Sequence, residues 1–476
     1  MGQSDPFSFR NISVEDGLSE STVKVIFEDH NGFIYFGTEN GLDYYNGYEV
    51  LNYQMKSFDE TSILGNKISC IYEDSKNKIW IGSELGISKF DPNTRTFIRP
   101  AKLDEKSGLA LINPETIAED HNGNIWVKLF NSNSIFQLNS KKDTTVCMNC
   151  GRDDLLKNIS IQILYEDDDK TIWIGSESGL FYFDRAQDEI VPFKENSELF
   201  QSQITAIAKG KSGELWIGTT QGLGKIATGS SNTVTVFIKK SGLNSILSNT
   251  INDLNWDNEK QELWIATNDG LSRFDAEKNK FYNIQETPYA NSIIENNVNK
   301  ILIAEKSGKL WFTTENYPGI NCLSITLDPY FGELDTSFTH FEHDPVDPNS
   351  LADNNISAFI EDKAGHVWIG TRQNGISFYS FVKPKFSSIR YDLENEWGLK
   401  SDKIFSIATL SDGYLWAGTG HGLELLSPDG IRDYEMEKSA LGINQVMDLE
   451  IINDEILWVA STEGVLRIDL NTEEIT

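Results

Sequence analysis

A short phrase, aromatic-Ile-Gly-Ser/Thr followed within a few residues by glycine and an aliphatic residue, returns through this 476-residue chain at a nearly constant interval. Self-similarity at a period of ~40–50 residues restricts a chain to stacked or circular arrays of one supersecondary unit. Clear copies open at Trp80, Trp173, Trp216, Trp264, Trp368, Trp416 and Trp458, and looser ones at Tyr35, Trp126 and Trp311. Successive spacings are 45, 46, 47, 43, 48, 47, 57, 48 and 42, so the unit occurs ten times. The copy at Trp126 departs furthest, because Trp126-Val127-Lys128-Leu129 has lost the glycines.

Each unit reads as four short strands. In the second, Lys67 to Tyr72 alternates in polarity, Glu73 to Asn77 is a turn, Lys78 to Ser83 is a second strand, and Gly86 turns the chain into Ile87 to Phe90. Asp91-Pro92-Asn93-Thr94 then makes a hairpin into Thr96-Phe97-Ile98. Six units carry glycine three residues before the aromatic (Gly32, Gly123, Gly213, Gly308, Gly365 and Gly413), where the turn needs positive φ. No ten-residue stretch keeps a helical period, so the chain is all-β.

Four strands per ~40–50 residues make a β-propeller blade, whose apolar faces have only the neighbouring blades to bury against. That accounts for an aromatic content of 11%, with 11 Trp and 26 Phe, and it excludes disorder. Each Trp is expected to wedge between sheets with its indole N–H on a carbonyl. Because nearly every unit has one, these Trp residues serve packing rather than sugar stacking.

Ten units exceed the usual four to eight blades of one ring. Phe7-Ser8-Phe9-Arg10 reads as an orphan outer strand that closes a ring from the N-terminus. The insert Asp328 to Glu333 points to a seven-bladed first propeller over 7–337, with 338–476 opening a second. Val382-Lys383-Pro384-Lys385, which replaces the usual hairpin, allows eight plus two, and a single ring of ten is a third arrangement.

The formal charge, 41 minus 72, is −31. Such a field repels polyanions, no run of Lys and Arg offsets it, and nucleic acid is not an expected partner. Cys147-Met148-Asn149-Cys150 is a C-x-x-C without further zinc ligands, so a local disulfide or two idle thiols is expected and no metal. Cys70 and Cys322 fit as small core residues. There is no run of 18 apolar residues, no signal peptide and, with Pro6 in the way, no myristoylation signal; membrane contact is not expected. An abrupt Met1-Gly2 start fits a mature domain with two residues added.

Glu15-Asp16-Gly17-Leu18-Ser19, Phe27-Glu28-Asp29-His30-Asn31-Gly32, Gly37-Thr38-Glu39-Asn40-Gly41-Leu42, Asn46-Gly47 and Asp344-Pro345-Val346-Asp347-Pro348-Asn349-Ser350-Leu351 resemble the two-component regulator propeller repeat. The resemblance runs from Phe7 to Asp469. It implies the extracytoplasmic, periplasmic sensor region of hybrid two-component regulators of Bacteroidota, or of some diguanylate cyclases, with two seven-bladed rings. An immunoglobulin-like domain, a membrane helix and the signalling part follow in that family. The implied ligand is an oligosaccharide, the implied assembly a homodimer through the parent protein, and the chain itself not an enzyme.

The residues themselves give the same negative answer on chemistry. The Glu-Asp pairs at 73–74, 119–120, 166–167 and 361–362 recur with the repeat and serve turn bonding and solvation, whereas a catalytic residue breaks a repeat. The turn is similar to the Asp-box of sialidases but lacks its Ser and Thr. His30, His121, His340, His343, His366 and His421 are scattered, no nucleophile or P-loop motif occurs, and no cofactor is expected. Propeller ligands sit on the rim of b–c and d–a loops. The candidate rim is Glu39, Asn40, Glu84, Asn131, Asn133, Glu177, Gln221, Asp269, Tyr317, Arg372 and His421, with Tyr317 to stack on a sugar and Arg372 to grip a carboxylate or sulfate. A protein-interaction or dimerisation scaffold is the competing role, and a propeller glycosidase or lyase a third.

Overall fold

Alternating strands joined by glycine and Asx turns leave the chain nothing to form but sheets. The computed structural model describes residues 8–99, 111–130, 134–139, 144–148, 160–194, 198–211, 213–227, 233–242, 244–288, 292–327, 334–380, 399, 401, 403–410, 414–427, 430–433, 445–472 and 474–476. Among the described residues there are ten antiparallel sheets, nine of four strands and one of three, and two short 3-10 segments. The chain divides into two units, Met1–Phe381 and Val382–Thr476.

The first unit holds eight sheets. We call their strands a to d from the centre outward and number the sheets as blades 1 to 8. The a strands are Val23–Glu28, Ile68–Glu73, Pro114–Glu119, Ile161–Glu166, Ile204–Lys209, Ile251–Asp257, Val298–Ala304 and Ile356–Glu361. Each lies against the a strands of the blades before and after it, and the last returns against the first, so the ring closes at eight.

Closure comes from the N-terminus. Phe9–Ile12 pairs antiparallel with Ile376–Tyr379, from Phe9 opposite Tyr379 to Ile12 opposite Ile376, as the outer strand of blade 8. The expected seven-bladed ring ending at 337 therefore gives way to eight blades ending at Phe381. The reason is local. The seventh unit makes its own outer strand, Leu334–Phe341, paired along its length with Ile320–Leu327, and these two eight-residue strands take up the long 57-residue spacing. Blade 8 draws its outer strand from the start of the chain, as Phe7 to Arg10 suggested. The insert Asp328 to Glu333 and the stretch 382–385 lie outside the described residues.

The second unit contains a four-stranded sheet running from Ile404–Thr409 to Gly430–Asp433 and a three-stranded one, Val446–Ile452, Ile456–Ser461 and Gly464–Asp469. A bridge from Ile468 to Ile475 begins a fourth row on the latter.

The repeated aromatics of the first unit pack as the pattern requires, each against the following blade, whereas Trp458 of the last sheet is exposed. Trp216 of blade 5 sits among Ile251, Leu254 and Phe274 of blade 6, and Trp368 of blade 8 among Ile26 and Phe36 of blade 1. In four blades the indole N–H meets a carboxylate rather than the expected carbonyl. Trp80, Trp126, Trp173 and Trp368 donate to Asp74, Asp120, Asp167 and Asp362, six residues earlier, at 2.8–2.9 Å, and the Tyr35 hydroxyl donates to Asp29. The other oxygen of Asp74 accepts the backbone N–H groups of Lys76 and Lys78 and shapes the turn. Asp29, Asp74, Asp120 and Asp362 are buried latches and Asp167 a half-buried one, not solvated turn residues.

The Glu beside each Asp has a different task. Glu73 accepts the His30 N–H, Glu119 the Ser75 N–H and hydroxyl, Glu28 the Lys363 N–H, and Glu361 the Glu305 and Lys306 N–H groups. Each is a staple from one blade to the turn of the blade before it. Blade 5 has Lys209 there and reverses the polarity, placing its ammonium 2.8 Å from Asp168 of blade 4. Gly32, Gly123, Gly213, Gly308 and Gly365 have positive φ, as at Gly32 (φ +87), blade 2 meets the same need with Asn77 at φ +59, and Gly413 lies outside the described residues.

Candidate functional site

On one face of the ring the b–c turns meet the chain as it enters each strand a. Glu84, Glu177, Thr220, Glu315 and Arg372, each the first turn residue after strand b, donate their N–H to the carbonyls of Lys67, Ser160, Gln203, Asn297 and Asn355, at 3.0–3.2 Å. The glycine that ends the turn often crosses to the next blade: Gly41 to Asn66, Gly319 to Asn354 and Gly375 to Ser21. The rim is thus tied both within and between blades.

Just inside it, the a–b register shifts once in every blade. The residues passed over are Lys24, Ser69, Glu115, Gln162, Thr205, Asn252, Asn299 and Ser357. All eight are polar, and each follows a Val, Ile or Pro that opens the strand. A bulge re-aims a side chain and is common beside functional sites. Here it forms a polar girdle on the innermost strands. Ser69, Asn252 and Ser357 donate to the carbonyls of Pro114, Val298 and Val23, the first residue of the next strand a. Asn299 donates to Glu315, and Gln162 to Glu177 and Ser160. No single position in the sequence flags this girdle; it emerges only when the eight registers are compared.

Blade 3 breaks the rim. Two residues after the repeated aromatic, five other blades have Gly37, Gly82, Gly175, Gly218 and Gly370, and blades 6 and 7 have Ala266 and Thr313. A Cβ on Gly82 would stand 2.5 Å from both Cys70 Sγ and Pro114 Cγ. Blade 3 carries Lys128 there, opposite Thr116, with only 4% of its side chain exposed. Its ammonium lies 2.6 Å from Glu115 of the girdle and donates to the Gln162 carbonyl of blade 4 at 3.3 Å. The next position, where Thr38, Ser83, Ser176, Thr219, Thr267 and Thr371 close the turn by donating to a carbonyl, is buried Leu129. The third is Phe130, 58% exposed, where neighbours have Glu84 and Glu177.

The expected rim residues Glu39, Asn40, Glu84, Glu177, Gln221, Asp269, Tyr317 and Arg372 stand in the b–c turns of the first unit, and His421 in a b–c turn of the second. Asn131 and Asn133 lie outside the described residues. Several are occupied by the fold. Glu39 pairs with Lys24 and, at 3.6 Å, with Lys67, and the hydrogen bond from Lys24 holds its carboxyl below the usual range. Asn40 donates to the Ser19 carbonyl, Glu84 accepts the Asn66 and Lys67 N–H groups, and Asp269 pairs with Lys239. Gln221 places its N–H on Thr219. Tyr317 is edge-on to His340 at 5.8 Å, with its N–H on Glu295. Arg372 is exposed, and its carbonyl accepts from Thr22 of blade 1.

Among the described residues the histidines do not converge. His30 meets Glu73, His366 meets Asp362, His340 lies between Asn321 and Glu342, and His343 bonds the Leu351 carbonyl, each in a separate setting. Among the described residues no three His, Cys, Asp or Glu side chains cluster as metal ligands. No helix there is long and apolar enough to cross a membrane. Cys70 and Cys322 are buried free thiols, as core residues should be, and Cys147 is disulfide-bonded; Cys150 lies outside the described residues.

The model of the two-component regulator propeller family matches residues 17–40, 62–84, 198–221 and 350–373. A histidine kinase of Formosa agariphila is 25% identical over 474 residues, covering 88% of this chain and 34% of the relative, so the chain spans about a third of that protein's length. Among solved structures, the extracellular domain of a putative hybrid two-component system from B. thetaiotaomicron is 20% identical with a TM-score of 0.46, covering 99% of this chain and 72% of that one. The extracellular domain of a putative one-component system from the same organism is 17% identical with a TM-score of 0.44, covering 98% and 67%.

Proposed function

We propose that this chain, four segments of which match the two-component regulator propeller model, is the extracytoplasmic recognition module of a two-component signalling regulator, and that its ligand is an oligosaccharide. The polar girdle carries this reading. Eight hydrogen-bonding side chains sit on the innermost strands of a closed ring, just inside a rim of loops. Such a frame holds donors and acceptors still, which lowers the ordering cost of binding. Catalysis has no part in the reading. Signalling, and homodimerisation with it, belongs to the parent protein, where the kinase or cyclase lies.

Thermal shift of the purified chain against neutral and acidic oligosaccharides tests the proposal, since a ligand bound only by the native state raises Tm. A saturable rise with one of them is the expected result. No shift across the series, with self-association on a sizing column, would favour the scaffold role instead.

A further inference from the structure

Blades 6 and 7 change only the packed glycine, to Ala266 and Thr313, and keep Thr267 and Thr314 to close the turn, whereas blade 3 departs from the repeat at three positions in a row. Lys128, Leu129 and Phe130 are consecutive, and each replaces a residue that other blades use for folding: the packed glycine, the turn-closing Ser or Thr, and a polar turn residue. Leu129 and Lys128 are buried, Lys128 against Glu115 of the girdle, whereas Phe130 is exposed. Glu115 is 41% exposed although its partner Lys128 is almost wholly buried. Opposite, across the seam to blade 4, stand Gln162 and Glu177, joined at 3.3 Å. A burial this expensive at a glycine position brings no packing advantage that the other blades lack, and local rules are broken most often at functional sites.

We propose that the seam between blades 3 and 4 is the ligand site of this module, and that it takes an uncharged polyhydroxylated ligand. Glu115 and Glu177 accept ligand hydroxyls, Gln162 both donates and accepts, and the exposed Phe130 ring covers an apolar sugar face. Lys128 is a positioning residue. It fixes the Glu115 carboxylate from below and, being buried and already paired, offers no charge to an anion. The two surface carboxylates and the chain's charge of −31 disfavour uronates and sulfates. The site differs from the one Arg372 would serve. The proposal rests on the carbohydrate reading above.

The test uses the chain as described and four variants. Lys128→Met keeps the buried stem and removes the charge, leaving Glu115 to solvent, so Tm should stay within about 2 °C of wild type or rise. Phe130→Glu supplies the residue type of other blades and should leave Tm unchanged. Both should weaken binding by about tenfold or more, Lys128→Arg should restore it, and Arg372→Ala should not alter it. The probes are cellohexaose, mannohexaose, xylohexaose and maltohexaose, against a galacturonate hexamer and a heparin hexasaccharide, read by calorimetry. Binding of the acidic probes alone, or loss of binding in Arg372→Ala but not Phe130→Glu, overturns the site and leaves the carbohydrate reading standing. A Tm fall of more than about 5 °C in Lys128→Met assigns the pair to structure and overturns it as well. Silence of the wild type to every probe defeats the carbohydrate reading, and the site with it.

Discussion

The carboxylate of Glu119 in blade 3 accepts both the backbone N–H and the hydroxyl of Ser75 in the turn of blade 2, at 2.7 and 2.9 Å. It is one of a series that joins blade to blade by a charged acceptor on a backbone donor. Such bonds are shorter and stronger than neutral ones.

Replacing Glu119 by Ala should therefore destabilise the first unit by about 2–3 kcal/mol. The midpoint of urea unfolding is the measurement. An unchanged midpoint would mean that neighbouring blades hold by side-chain packing alone.

The Asp latches give a dependence on pH with a definite sign. Burial raises the Asp74 carboxyl, but the Lys78 N–H, the Trp80 indole and the Lys89 ammonium outweigh it and hold the group below the ordinary range. A folded pKa below the unfolded one contributes stability above the unfolded value, about 4, and loses it as pH falls through the folded value. Asp74→Asn should thus be less stable than wild type at pH 7, with the gap narrowing below about pH 4. A gap that stays constant to pH 3 would contradict the latch.

Phe9 is buried edge-on against Phe341 at 5.2 Å and near Tyr379 at 5.6 Å, on the strand that closes the ring. Phe9→Ala should lower stability by about 3–5 kcal/mol. Protection of the Ser377 and Phe378 amides in hydrogen exchange should fall along with it. Protection lost evenly across all blades would argue against a local role.

Gly82 has no room for a methyl group. Gly82→Ala should cost at least about 1–3 kcal/mol through overpacking against Cys70 and Pro114, despite the gain in intrinsic β-preference. Thermal unfolding decides this, and a neutral result would mean that the strands separate easily.

Burial pushes the Cys70 and Cys322 thiols up to about 12, so neither forms an appreciable thiolate near neutrality. Both should resist iodoacetamide in the native protein and react once urea unfolds it, as mass spectrometry would show. Rapid native labelling of either would place that thiol at the surface.

Much of this fold is written in its repeats. The strands, the positive-φ glycines, the turn Asp and the closing strand near Phe9 follow from period, polarity and turn chemistry. Ring size is less legible, because it depends on which blade lacks an outer strand, and the insert after Leu327 interrupts the repeat as strongly as the altered hairpin after Phe381. The indole partner was missed because carbonyls are the usual acceptor, while a buried carboxylate at a fixed six-residue offset needs three dimensions to recognise. Lys128 stood out in the sequence as the weakest copy of the repeat. Only its contact with Glu115 turns that weakness into a candidate site.

The closing strand also sets an order of events. Phe9–Ile12 leaves the ribosome well before its partner Ile376–Tyr379, which follows only after almost the whole first unit has been made. At ~5–20 residues per second the strand waits for tens of seconds with its edge unsatisfied, while seven blades assemble without a lock. Translation speed and chaperone cover over that interval therefore govern how much of the protein reaches its finished circle.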